Sequence, residues 1–188
     1  MPNLNALALR ARLIRKPDAH KGDMGKVLLV GGAPGMAGAI FLSAYGSLYR
    51  GAGWTMIGVL DSKSAHVQID QPEWMVHDIS EVVNAHDFIK HMQPDCLAIG
   101  PGLGLSDQAL QFLEAGLAFS GPLILDADAL NLIAAYPRIA QLLRERKDPC
   151  TITPHPGEAA RLLGISAEQV QANRSQAIQL LIDLFHCY

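Results

Sequence analysis

Four short segments of this chain carry residue types that can do chemistry. Thr153-Pro154-His155-Pro156-Gly157-Glu158 sets one imidazole between two prolines, which fix the backbone on both sides of it. A histidine held that way can donate to a phosphate or a substrate amide; a stiff helix entry with Glu158 in the first turn explains the same residues. Asp126-Ala127-Asp128 offers carboxylates. Asp126 can meet a ribose hydroxyl or hold Mg2+ through water, whereas Asp128 suits a helix N-terminus. Gly31-Gly32-Ala33-Pro34-Gly35-Met36-Ala37-Gly38-Ala39 and Gly100-Pro101-Gly102-Leu103-Gly104 offer bare backbone that a phosphate can approach. Tight packing between a strand and the next element accounts for both glycine runs equally well.

All four segments follow short apolar runs. The sequence predicts strands over Val27–Val30, Thr55–Leu60, Asp95–Ile99, Pro122–Leu125 and Cys150–Thr153, with an edge strand at 74–78. Helical patterns run over Gly38–Tyr49, Ser106–Ala118, Leu130–Ala135, Ala159–Leu163 and, as one helix, Ser166–Leu184, with Ser106 and Ser166 as N-caps. Asp61 and Ser62 open a turn or a helix, and the first 16 residues read as an N-terminal helix or arm. Alternation of apolar strands and helices predicts an α/β fold: a mostly parallel sheet with helices on both faces, in one domain spanning 1–188. In such sheets ligands bind outside the carboxyl ends of the strands, where all four segments lie.

Composition removes several classes. A formal net charge of −3 leaves no basic footprint for nucleic acid. No run reaches the roughly 18 continuous apolar residues of a membrane span. Cys96, Cys150 and Cys187 contain no CxxC pair, so neither a zinc site nor a disulfide framework is indicated, and a reducing, cytoplasmic setting is expected. The remaining histidines show no metal-ligand spacing. The first glycine run has neither the Gly-Lys-Ser/Thr of a Walker A loop nor a clean GxGxxG.

The segments HKGDMGKVLLVGG (20–32), GMAGA (35–39), YRGAGW (49–54), AIGPGLG (98–104), LILDADALNL (123–132) and TPHPGEAARLLG (153–164) together resemble the ADP/ATP-dependent NAD(P)H-hydrate dehydratases, the carbohydrate-kinase-like domain of the YjeF proteins. The resemblance runs from about residue 10 to about residue 180. It implies a ribokinase-like fold, with ADP or ATP and Mg2+ as cofactors and hydrated NADH or NADPH as substrate. In that chemistry the ring hydroxyl is phosphorylated and then eliminated. By position, the resemblance makes Ala39, Gly102 and His155 contacts to the hydrated dinucleotide and sets Asp126 near the reacting region. Gly32, Gly35, Gly38 and Gly104 become its phosphate loops.

The family pattern goes on to a Leu-Lys-Gly strand and a Gly-Asp segment that serve the phosphoryl donor, and the last residues, Phe185-His186-Cys187-Tyr188, do not look like its continuation. The chain therefore reads as a C-terminally incomplete member with little or no activity alone. Its open sheet edge is expected to pair with another copy. A small-molecule kinase of the same fold and a non-catalytic dinucleotide-binding module remain alternatives, and an epimerase domain fused in a longer protein is left open.

Overall fold

The computed structural model describes residue 14 and residues 17–66 and 71–188, so the N-terminal helix or arm expected over 1–16 lies almost wholly outside the described residues. Six strands, β1 (Lys26–Gly31), β2 (Trp54–Val59), β3 (Trp74–Asp78), β4 (Cys96–Ile99), β5 (Leu123–Leu125) and β6 (Cys150–Ile152), form one sheet in the order β3-β2-β1-β4-β5-β6. Every ladder is parallel, where a mostly parallel sheet was expected. The order reverses between β1 and β4, which opens a crevice at their carboxyl ends. The same order occurs in dinucleotide-binding dehydrogenases, so it does not by itself identify the protein.

The helices are α1 (Ala37–Tyr49), α2 (Ser62–Ala65), α3 (Ala85–Met92), α4 (Asp107–Leu117), α5 (Asp128–Ala135), α6 (Pro137–Glu145), α7 (Pro156–Leu163), α8 (Ala167–Ala172) and α9 (Arg174–Phe185). Side chains of Asp61, Asn84, Ser106 and Ser166 accept backbone N–H groups at the starts of α2, α3, α4 and α8. Two helices were not anticipated. α3 is amphipathic, with Ala85 and Ile89 buried and Phe88 and Met92 packed beside them, and α6 starts with Pro137 at its first position. The single helix expected over 166–184 is two. Asn173 adopts φ −148°, ψ 76°, and its side chain accepts the Gln176 N–H at 3.1 Å, so one residue ends α8 and caps α9.

Strand alternation sorts the residues onto two unequal faces. On one face the register-aligned row Met56, Leu28, Leu97, Leu123 and Cys150 is buried from end to end, at most 4% exposed, beneath helices that include α3 to α7. On the other face the row Ile57, Leu29, Ala98, Ile124 and Thr151 starts buried under α1, through Ile40 and Ala44. It ends exposed, with Ile124 37% accessible. The helices do lie on both faces, but α1 covers only the β3-β2-β1 half of its own. The other half is a trough of about 520 Å³ that reaches from Met24 to Asp126 and Thr153.

Two of the sequence motifs pack against each other at the amino ends of β1 and β2, away from the strand-end loops. The Lys21–Met24 turn lies so close to Gly53 that a Cβ there would overlap the Lys21 carbonyl. The N–H groups of Gly53 and Trp54 both donate to the Gly25 carbonyl, at 3.0 and 3.1 Å. The ammonium groups of Lys21 and Lys26 lie over the Trp54 ring at 5.5 and 5.2 Å. The HKGDMG and GAGW segments are thus one structural unit.

Candidate active site at the strand ends

The first glycine run divides into a buried part and an exposed part. Gly31, Gly32 and Ala33 are buried; Gly32 has φ +65°, its N–H donates to the Pro101 carbonyl at 3.3 Å, and that of Ala33 donates to the Gly102 carbonyl at 2.7 Å. Those donors are spent on the neighbouring loop. From Gly35 onward the run is accessible, with Gly35, Gly38 and Ala39 exposed. Met36 starts α1 without a side-chain cap, and among the described residues the N–H groups of Gly35, Ala37 and Gly38 have no hydrogen-bond acceptor. No atom lies within 4 Å of where a Cβ of Gly35 or Gly38 would stand. A 13-residue helix therefore presents its unpaired donors and its positive dipole end to the crevice.

The second run is scaffold. Gly100 (φ +134°) and Gly102 (φ +59°) are buried, and a Cβ on either would overlap a carbonyl oxygen, that of Asp126 or of Met36 respectively. The Gly104 N–H donates to Asp128 Oδ2 at 2.9 Å, so this loop holds no free cradle at Gly104. Of the residues expected to contact ligand, Gly32, Gly102 and Gly104 are buried in loop-to-loop packing, while Gly35, Gly38 and Ala39 face outward.

Asp126 and Asp128 separate at Ala127, an L-residue held at φ 48°, ψ −117°. Backbone in so sparsely populated a region is kept only where its surroundings dictate it. Asp128 turns inward, accepting from Gly104 and, at 3.2 Å, from Asn131 Nδ2; Asn131 in turn accepts from Arg161 Nε at 3.0 Å. Asp126 turns to the trough, where Oδ1 accepts the Thr153 hydroxyl at 2.7 Å. One carboxylate locks the loops and the other is left for a ligand. Asp61, the acidic residue after β2, is occupied locally: it accepts the Ser64 N–H at 3.3 Å and the Ser64 hydroxyl at 2.5 Å, which hold its carboxyl below the usual range.

His155 caps α7. Its Nδ1 accepts the Gly157 N–H at 3.0 Å, its own N–H donates to Glu158 Oε2 at 2.8 Å, and Nε2 lies 3.2 Å from Glu158 Oε1. These contacts assign the tautomer with the proton on Nε2. The ring is nonetheless 61% exposed above a Glu158 side chain that is 6% exposed. The helix-entry explanation of this motif is thus visible in the geometry, and the ring is left exposed.

The trough brings in Ser43, Ser47 and Arg50, which were not singled out as site residues. Both serines follow Ala39, which was, at four-residue spacing along α1, and they line the cavity with Arg50 beyond them. The i, i+4 spacing of small side chains was the available signal. Asp126 is a single carboxylate, and among the described residues no three His, Cys, Asp or Glu side chains cluster as a metal site. The residues present do not by themselves fit Mg2+, and no chemical step is routed through it. No described helix is long and apolar enough to cross a membrane.

A parallel sheet with a crevice at its order reversal, an uncapped helix N-terminus and an acidic strand end define an α/β protein with its candidate site at the carboxyl ends of the strands. Solved structures agree on the fold: a ribokinase-like superfamily protein of Enterococcus faecalis superposes with TM-score 0.72 at 32% identity, covering 89% of this chain and 58% of that one. A Bacillus subtilis ADP/ATP-dependent NAD(P)H-hydrate dehydratase, co-crystallized with ATP and Mg2+, does so with TM-score 0.65 at 25% identity, covering 93% and 60%. The sequence pattern of the NAD(P)H-hydrate dehydratases matches residues 27–187, and the chain belongs to that family. A bifunctional NAD(P)H-hydrate repair enzyme of Coxiella burnetii is 40% identical over 166 residues, 87% of this chain and 32% of the relative. An ADP-dependent (S)-NAD(P)H-hydrate dehydratase of Neisseria meningitidis is 35% identical over 174 residues, 91% of this chain and 56% of the relative. The chain thus spans about a third to a little over half the length of these two relatives.

Proposed function

We propose that this chain binds hydrated NADH and NADPH at the carboxyl ends of its strands, as the substrate-holding part of an ADP- or ATP-dependent NAD(P)H-hydrate dehydratase in the cytoplasm. The observation that carries the reading is the uncapped start of α1 at the crevice between β1 and β4, inside the family-matched region. Its free N–H groups at Gly35, Ala37 and Gly38 suit the pyrophosphate of a dinucleotide. Asp126, oriented by Thr153, suits a ribose or ring hydroxyl. The exposed ring of His155 suits the carboxamide.

The family resemblance implies that a hydroxyl of the hydrated ring takes a phosphoryl group and then leaves as phosphate, which restores the dihydronicotinamide. Such a transfer needs a base for the acceptor hydroxyl and positioned charge on the donor. Among the described residues neither is assembled: Asp126 is the one carboxylate lining the trough, and Arg50, the cation lining it, stands at the far, C-terminal end of α1. The 188-residue polypeptide is therefore expected to bind the hydrated dinucleotide and to turn it over poorly. The same reading includes self-association through the open sheet edge, which light scattering tests. A non-catalytic dinucleotide-binding module is the second reading, favoured by that missing base. Calorimetric titration with hydrated NADH and with ADP, followed by an assay for ADP-dependent loss of hydrated NADH, decides the matter. Saturable binding of hydrated NADH supports the proposal; ADP binding with rapid turnover overturns the division of labour, and absence of any dinucleotide binding overturns the whole reading.

A further inference from the structure

We infer that Cys150 and Cys187 form an oxidisable dithiol that closes to a disulfide between the sheet edge and the segment after α9. Tyr188 makes the two hydrogen bonds of a parallel neighbour to β6: its N–H donates to the Cys150 carbonyl at 2.9 Å, and its carbonyl accepts the Ile152 N–H at 2.9 Å. That pairing aligns Tyr188 with Thr151 and so Cys187 with Cys150. Parallel neighbours stand about 4.8 Å apart, inside the roughly 4.4–6.8 Å that a disulfide spans between Cα atoms. Both side chains are 4% exposed and pack in the same core, and each thiol acts on the ionisation of the other.

The surroundings assign different roles to the two sulfurs. Cys187 Sγ lies 3.5 Å from the Phe185 carbonyl and forms part of the wall of a cavity of about 60 Å³ beside Ile152, Pro154 and Leu181. That is room for a peroxide-sized molecule, since water occupies about 30 Å³ in the liquid. The Cys150 thiol, acting first, and the nearby Arg146 charge favour the Cys187 thiolate, while Cys187 and then burial hold Cys150 in its thiol form. Arg146 is fixed there by the carbonyls of Leu117, Phe119 and Gly121, and its Nε has no hydrogen-bond partner. The thiolate is the nucleophile. With hydrogen peroxide as oxidant, Cys187 attacks one oxygen, the O–O bond breaks, and sulfenic acid forms as the first water leaves. Cys150 sulfur then displaces the second oxygen as water, giving the S–S bond. Two thiols and one peroxide become one disulfide and two waters.

Cys96 is the internal control, because it lines the trough on the opposite face of the sheet. Peroxide treatment of the purified chain, then alkylation and peptide mapping without reductant, is expected to yield a Cys150–Cys187 linked peptide that dithiothreitol releases. In Cys150→Ser, with Cys150→Ala in reserve should serine destabilise the core, dimedone is expected to label Cys187. The oxidised wild type is expected to melt at higher temperature than the reduced form, and the variant to show no such rise. Free Cys150 and Cys187 after oxidation of Cys96, or a link from either to Cys96 or to a second chain, overturns the inference.

Discussion

The two glycine runs beside the crevice have nearly the same composition and opposite roles. In Gly100–Gly104 the absent side chains make room for protein: the Asp126 and Met36 carbonyls sit where a Cβ of Gly100 or Gly102 would be. In Gly35–Gly38 nothing occupies that space, and the backbone donors beside it are unspent. A glycine is therefore informative only through what fills the place of its missing Cβ. The exposed part of the first run keeps its donors unspent, and the second run brings β1, β4 and β5 close enough for their ends to form one wall.

Substitutions that add one carbon separate these roles. The largest effect is expected for Gly100→Ala, which combines φ +134° with a backbone overlap; unfolding in urea should report a loss of about 3 kcal/mol or more. Gly102→Ala should cost about 2 kcal/mol by the same measurement, since its φ of +59° is less costly for an L-residue but Met36 must shift. His155→Ala should cost about 1 kcal/mol through the lost α7 cap, whereas His155→Asn keeps a capping oxygen. If His155→Asn holds stability but weakens dinucleotide binding, the ring contacts the ligand as well. The smallest stability effect has the opposite sign. Gly38→Ala, at the second position of α1 in open space, should stabilise by about 0.5–1 kcal/mol. A loss of stability there would show that the exposed run, too, is packing.

The sheet was largely legible from the sequence because each buried strand is a short apolar run ended by glycine, proline or aspartate. Val27–Val30 and Cys150–Thr153 lie within a residue of the strands at Lys26–Gly31 and Cys150–Ile152. What escaped depended on tertiary contact. α3 is the exception, because Ala85, Phe88, Ile89 and Met92 stand at i, i+3, i+4 and i+7 and that periodicity was readable in the sequence. Asn173 is compatible with a continuous helix until its side chain takes the Gln176 N–H. The uneven covering of the α1 face is a property of the whole row from Ile57 to Thr151, and no one strand announces it. At the site, strand-end placement was readable, but the division between Asp126 and Asp128 rests on the Ala127 backbone, and local sequence does not mark an alanine at φ 48°. Cys150 and Cys187 are far apart in sequence, so their contact had no signal in spacing.

The central claim is that the exposed start of α1, and not the Gly100–Gly104 loop, receives the phosphates of a hydrated dinucleotide. Ala39→Asp tests it most directly, because the third position of a helix welcomes a carboxylate while a phosphate there does not. Calorimetric titration of wild type and Ala39→Asp with hydrated NADH, beside urea unfolding of both, is the measurement. The account predicts a variant more stable by about 0.5 kcal/mol that binds at least about tenfold more weakly, which is roughly 1.4 kcal/mol. Unchanged affinity in that stabilised variant would contradict it.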